Sequence, residues 1–152
     1  YTVPYGVMVP KEVDNLLLPV PVSGSHIGFS TLRMEPCWMA MGQAAGIASA
    51  LSIDGKVKVQ NIDLSRLQDK LIDQKATLMY FKDVDYTSPH FRMVQYLGLR
   101  GYLPEWTARL QEPVDATTLA AWKKLSGTDL PGIEAGKTTR LATLEMIYRK
   151  IK

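Results

Sequence analysis

Residues 15–51 constrain this chain more than any other stretch. They read as a short apolar run (Leu16 to Val22), a long loop of small and hydrogen-bonding residues (Ser23 to Glu35) with room for a short turn of helix near Thr31, and an almost uncharged helix from Pro36 to about Ser52. Pro19 and Pro21 remove two backbone donors, so the run reads as a strand that ends early or lies at a sheet edge. Pro36 suits the first position of a helix, with Glu35 or Thr31 available to cap it. Such a helix is about 25 Å long. Its small residues, among them Ala40, Gly42, Ala44, Ala45, Gly46 and Ala48, fall on every face. A helix of that composition is expected to be buried and to lie close to neighbouring backbone. Strand, polar loop and helix N-terminus, in that order, are how proteins present backbone N–H groups to an anionic cofactor.

The rest of the chain is organised around helices. Tyr1 to Val9 alternates apolar and small residues and predicts a strand closed by Pro10-Lys11, with a turn over Glu12 to Asn15. Val57 to Gln60 reads as a brief extended piece. Asp63 is placed to cap an amphipathic helix carrying Leu64, Leu67, Leu71 and Ile72 on one face. From Tyr80 the pattern changes to paired helices. One starts at Ser88-Pro89 and carries Phe91, Val94 and Leu97; one is capped by Asp115 and stopped by Gly127; the last is capped by Thr138 or Thr139 and carries Leu144 and Ile147. The expected fold is mainly α with a small N-terminal β portion, an α+β arrangement, with a boundary near residues 78–83 that divides the chain into 1–79 and 80–152.

Composition removes several functions. Eighteen Lys and Arg against 15 Asp and Glu, a net charge of +3, leave no basic footprint for nucleic acid. Cys37 is the single cysteine and His26 and His90 the only histidines, so neither an internal disulfide nor a metal centre is expected. No run approaches the roughly 18 apolar residues of a membrane span. The chain begins in strand-like sequence without methionine, which suggests a piece of a longer polypeptide and leaves the parent's location open, periplasmic or secreted space included.

Two short motifs can carry chemistry. Ser23-Gly24-Ser25-His26 places two hydroxyls, a glycine and an imidazole directly after an apolar run, where open sheets bind ligands. His26 can hydrogen-bond a carbonyl or hydroxyl and exchange a proton near neutral pH, which makes it the candidate catalytic residue. A serine-rich turn with an incidental histidine is the structural alternative. Arg33-Met34-Glu35-Pro36 sits at the helix start, where Arg33 can reach an anionic group or pair with Glu35. Gly42-Gln43-Ala44-Ala45-Gly46 resembles a glycine-rich cradle but lies inside the helix, where tight packing explains it. There is no P-loop, GxSxG, HExxH, or GxGxxG after a strand.

Residues Tyr5 to about Gln74 resemble the C-terminal segment of FAD-dependent oxidoreductases of the glutathione-reductase-like type, some of whose members carry the label xanthan lyase. The residues that carry the likeness are Pro4-Tyr5, Val9-Pro10-Lys11, Asp14-Asn15-Leu16-Leu17, Ser23-x-Ser25-His26, Arg33-Met34-Glu35-Pro36 and Met41-Gly42-Gln43-Ala44-Ala45-Gly46, with Leu67 and Leu71 following. Many relatives have Ala-Gly-Arg after the strand, where this chain has Pro19-Val20-Pro21. The resemblance implies a piece of an FAD-binding α/β domain. Its partner would be the N-terminal FAD-binding portion of the same polypeptide, and its cofactor-binding residues Ser23, Gly24, Ser25, His26, Arg33, Glu35, Pro36, Gly42 and Gln43. Without the dinucleotide-binding βαβ unit, this piece is expected to hold no FAD and to be inactive alone.

Residues Phe81 to Lys152 are similar to S-layer homology repeats through Phe81-Lys82-Asp83-Val84, the run Leu97-Gly98-Leu99-Arg100-Gly101-Tyr102-Leu103, and Thr139-Arg140. Such repeats imply binding of cell-wall glycan through a Thr-Arg-x-Glu motif. Here Ala142 stands at the Glu position, so a docking or packing appendage is the expectation. Three functions follow: a piece of a flavin oxidoreductase acting on an organic substrate, a saccharide included; a cell-envelope glycan-binding or docking module; and a protein associated with xanthan cleavage.

Overall fold

The computed structural model describes residues 2–152. The chain forms two compact units, Tyr1–Ala76 and Thr77–Lys152, each with its own apolar core. The first holds α1 (His26–Leu32), α2 (Glu35–Gly55) and α3 (Leu64–Asp73). The second holds α4 (Phe91–Gly98), α5 (Ala116–Ser126) and α6 (Arg140–Ile151). The mainly helical expectation holds.

The expected β portion does not form among the described residues. Tyr1 lies outside them, and Tyr5–Met8 is a single 3-10 turn. A ladder needs an unbroken row of donors and acceptors. The two runs are joined by two backbone bonds, Leu18 N–H to the Met8 carbonyl and Ser23 N–H to the Val7 carbonyl, both 2.8 Å. Pro19 and Pro21 fall between these donors and cannot add a third. The run from Leu16 to Val22 is therefore a pinned, irregular segment.

Between that segment and α2 stands a seven-residue helix where a long loop with a short helical turn near Thr31 is expected. Ser25 caps α1, its Oγ accepting from Gly28 N–H at 3.1 Å, and Leu32 buries the far end. Helix α2 starts one residue early, at Glu35. Neither Glu35 nor Thr31 caps it: the N-cap is Met34, which offers no side-chain bond, and Pro36 occupies the first turn. The helix ends where Lys56 turns left-handed at φ 50°.

Helix α2 is buried on one face only. Met41, Ala45, Ala48 and Leu51, spaced four and three apart, point inward. Met39 and Ile53 are about three-quarters exposed, at 76% and 75%. A Cβ added at Gly42 or Gly46 would meet nothing within 4 Å, so the tight packing expected of these glycines is not made within this chain. The inward face packs on α3 and on the turn Val59–Asn61. Helix α3 follows its sequence pattern except at its first residue: Asp63 accepts from Ser65 and Arg66 N–H, and Leu67, Leu71 and Ile72 are buried, whereas Leu64 is exposed.

The second unit is built around α4, whose residues are nearly all buried. Gln95 is fully buried, and both the oxygen and the nitrogen of its amide are hydrogen-bonded. Its Oε1 accepts from Leu78 and Met79 N–H, and its Nε2 donates to the Met79 carbonyl, each at 2.8 Å. One side chain thus replaces a strand partner for the start of the unit. Gly98 lets that segment close in, because a Cβ there would lie 3.0 Å from the Phe81 ring. Asp83 ties a second loop, accepting from Ala108 and Arg109 N–H at 2.8 and 2.7 Å. Asp115 and Thr139 cap α5 and α6, and Trp122 donates from within the core to the Tyr102 carbonyl at 2.7 Å.

Replacing Gln95 by Leu keeps the volume but leaves two amide donors and a carbonyl unmatched. The expected loss is about 2–3 kcal/mol in the unfolding free energy of the second unit, read from denaturant unfolding followed by Trp122 fluorescence.

Candidate cofactor-contacting site

A shared apolar cluster sets the candidate residues in place. Met8, Val22, Leu32, Met41 and Ala45 are buried together, with Cys37 and Trp38 packed against them. Val22 fixes the start of the Ser23–His26 segment, Leu32 fixes the end of α1, and Met41 fixes the first two turns of α2. All nine residues singled out from the sequence therefore hang from one core. All nine are exposed.

Their individual roles differ. Ser23 is held by its backbone to Val7, and its hydroxyl makes no hydrogen bond among the described residues. Gly24 lies in ordinary contact with Leu32 and Phe29, at 3.6 Å from an added Cβ, so it forms no cradle that a side chain would fill. The Ser25 oxygen is committed to capping α1, leaving its O–H to donate. His26 occupies the first position of α1 and is exposed. Arg33 ends α1, its N–H donating to the Phe29 carbonyl at 2.9 Å, and its guanidinium is without an acidic partner among the described residues. The alternative pairing of Arg33 with Glu35 is not made.

The first turn of α2 offers fewer amides than the sequence suggests. Pro36 has no N–H, and Cys37 and Trp38 both donate back to the Met34 carbonyl, at 2.9 and 3.3 Å. Of the first turn's amides only that of Glu35 is left open among the described residues, with the Glu35 carboxylate beside it. Further along, Gln43 Nε2 donates to Gln74 Oε1 at 2.9 Å, which ties α2 to the end of α3. The Trp38 indole N–H is enclosed without an acceptor among the described residues.

The donor set (Ser23 and Ser25 hydroxyls, His26 imidazole, Arg33 guanidinium) fits a group rich in phosphate and carbonyl oxygens. FAD is such a group. Every one of these residues is exposed to solvent, so the first unit by itself forms no enclosed pocket around them among the described residues.

Residues 1–71 match the family model described as FAD dependent oxidoreductase. The match supports an FAD-dependent oxidoreductase region within the first unit. The match ends inside α3 and spans every candidate residue, and it bears on oxidoreductase chemistry and on FAD as the family's cofactor. It lends nothing to xanthan cleavage or to the S-layer likeness of the second unit. No curated protein and no solved structure matches the chain.

The second unit has a different character. A cleft of about 310 Å³ is lined by Asp83, Ser88, His90, Arg109 and Glu112, among others, and contains none of the nine residues above. Arg140, the residue most relevant to glycan capture, is engaged internally. Its Nε donates to the Ala108 carbonyl at 2.9 Å, and its guanidinium carbon lies 5.0 Å from the Trp122 ring centre. Burial, with Arg109 nearby, lowers its pKa from the ordinary guanidinium value.

Two features are not legible in the sequence: the full extent of α1, of which only a turn near Thr31 is expected, and the contacts that Tyr5 and Asn15 make with residues near 59. Gly28, Ser30 and Thr31 weaken any helical signal, and the local cue is Ser25 preceding Leu32 by one helix length. Replacing Ser25 by Ala removes the cap and costs about 1 kcal/mol of local stability. Amide exchange at Gly28 and Phe29 should accelerate while exchange in α3 stays unchanged.

Proposed function

We propose that the first unit completes the flavin site of an FAD-dependent oxidoreductase together with a nucleotide-gripping portion of the same polypeptide. The observation that carries this is where apolar surface is left uncovered. Among the described residues, ten of the fourteen exposed large hydrophobics belong to the first unit, including Ile27, Met34, Met39 and Ile53. Exposed apolar surface of this extent, beside a row of unused polar groups, marks a face made to be covered. The family match over residues 1–71 supports oxidoreductase chemistry with FAD, and in this reading the covering partner is an FAD-binding portion of the same polypeptide.

In this reading the bound flavin supplies hydride acceptance from an organic substrate, and the protein binds, orients and excludes water. Ser23, Ser25 and Arg33 hold anionic or carbonyl oxygens. Gly24 lies in the same loop, between the two serines. His26, at the start of α1, holds or moves a proton at an imidazole nitrogen. Gly42 and Gln43, with Glu35 and Pro36, belong to the α2 surface that faces the partner and its cofactor. The second unit is a docking or packing module, a role favoured over glycan capture by the internal engagement of Arg140.

This reading predicts that the 152-residue chain alone purifies colourless. The complete encoded polypeptide, saturated with FAD and desalted, should keep a visible flavin absorption band. A complete polypeptide that releases all its FAD on desalting would sink the proposal.

A further inference from the structure

All nine candidate residues lie on the part of the chain between Asn15 and Val59, and that part is closed into a loop by polar contacts at its base. The Val59 peptide is gripped from both sides. Tyr5 Oη donates to the Val59 carbonyl at 2.9 Å, and Val59 N–H donates to Asn15 Oδ1 at 3.3 Å. Gln60 reciprocates, its Nε2 donating to the Val13 carbonyl at 3.0 Å and its Oε1 accepting from Asn15 N–H at 3.4 Å. Val59 itself is buried. These partners are 44 to 54 positions apart.

The residue types suit the task. Asn15 has φ 55°, a left-handed conformation that asparagine tolerates better than most residues, and its carboxamide then reaches across to Val59. Burial raises the Tyr5 phenol above its ordinary pKa, which keeps it a donor. From this base two paths lead to the site. Tyr5 begins the turn whose Val7 carbonyl holds Ser23 N–H. The turn Val59–Asn61 packs on α2, which carries Gly42 and Gln43.

We propose that Tyr5, Asn15 and Gln60 are positioning residues: the bonds of Tyr5 and Asn15 to Val59, and of Gln60 to Val13 and Asn15, hold the Ser23–His26 segment and the α2 surface in one fixed register for the flavin. The inference rests on the cofactor reading of the first unit. None of the three is among the nine candidate contact residues; their effect passes through the backbone.

The test uses the complete encoded polypeptide with Tyr5→Phe, which removes only a hydroxyl, and Asn15→Gly, which keeps the left-handed backbone and removes the carboxamide. Asn15→Asp, which keeps an acceptor oxygen, serves as the rescue. Expected are a Kd for FAD raised about tenfold in Tyr5→Phe and again in Asn15→Gly, each made alone, a changed visible band of the bound flavin, faster amide exchange at Ser23, and near-normal affinity for Asn15→Asp. Circular dichroism should not change. An FAD Kd unaltered in both Tyr5→Phe and Asn15→Gly overturns the inference whatever the exchange rate. If the unsubstituted polypeptide holds no FAD, the cofactor reading itself fails, and the exchange rate at Ser23 decides the clamp: acceleration supports it and no change overturns it.

Discussion

The first unit depends on the burial of Met8, Val22, Leu32, Met41 and Ala45 against one another. These residues come from a turn, an irregular segment and two helices that share little regular backbone pairing. Removing their apolar surface from water is what brings the four pieces together. The same cluster has an outer side. Each piece that sends one side chain inward sends polar or apolar groups outward: Ser23 beside Val22, Arg33 beside Leu32, and Gly42 and Gln43 beside Met41. Folding the core therefore displays the candidate site as a surface. A single-sided core of this kind leaves α2 half covered, and a helix whose middle four turns carry no charge, with bare glycines and an exposed Met39, is a poor final surface for a protein in water.

The second unit solves a different problem. Its loops are long, and its helices α4, α5 and α6 are short. Side chains substitute for the missing sheet: Gln95 pairs with the backbone of Leu78 and Met79, Asp83 with that of Ala108 and Arg109. The one strand-type contact among the described residues is the bridge between Pro113 and Thr139. Polar groups that are buried and fully matched fix one arrangement of such loops, because every alternative leaves donors without acceptors. Arg140 belongs to this internal scaffold, bonded to Ala108 and lying over Trp122.

Legibility in the sequence follows the range of the interaction. Helix α3, with its Asp63 cap and its Leu67, Leu71 and Ile72 face, is readable because its determinants lie within three turns. Helices α4 to α6 are readable for the same reason. The N-terminal strands are misleading because alternation of side chains gives a strand only when a neighbour completes the ladder, and Pro19 and Pro21 prevent that here. Helix α1 is legible only as a turn near Thr31, because Leu32 and the Ser25 cap, not helix propensity, decide its extent. The nature of α2 is half legible: its small residues point to close packing, and the face bearing Gly42 and Gly46 meets no partner in this chain. The grip of Tyr5 and Asn15 on Val59 joins residues too distant for any local pattern to show. The clustering of the candidate site is visible as consecutive motifs, whereas the exposure of every member is not.

The claim on which the functional reading turns is that the outer face of α2 is covered in the working protein. Oxidative footprinting of Met39 measures this most directly, since this residue is 76% exposed in the chain alone. The flavin reading predicts rapid Met39 oxidation in the isolated chain and strong protection in the FAD-loaded complete polypeptide. Equal rates of Met39 oxidation in the two would contradict it.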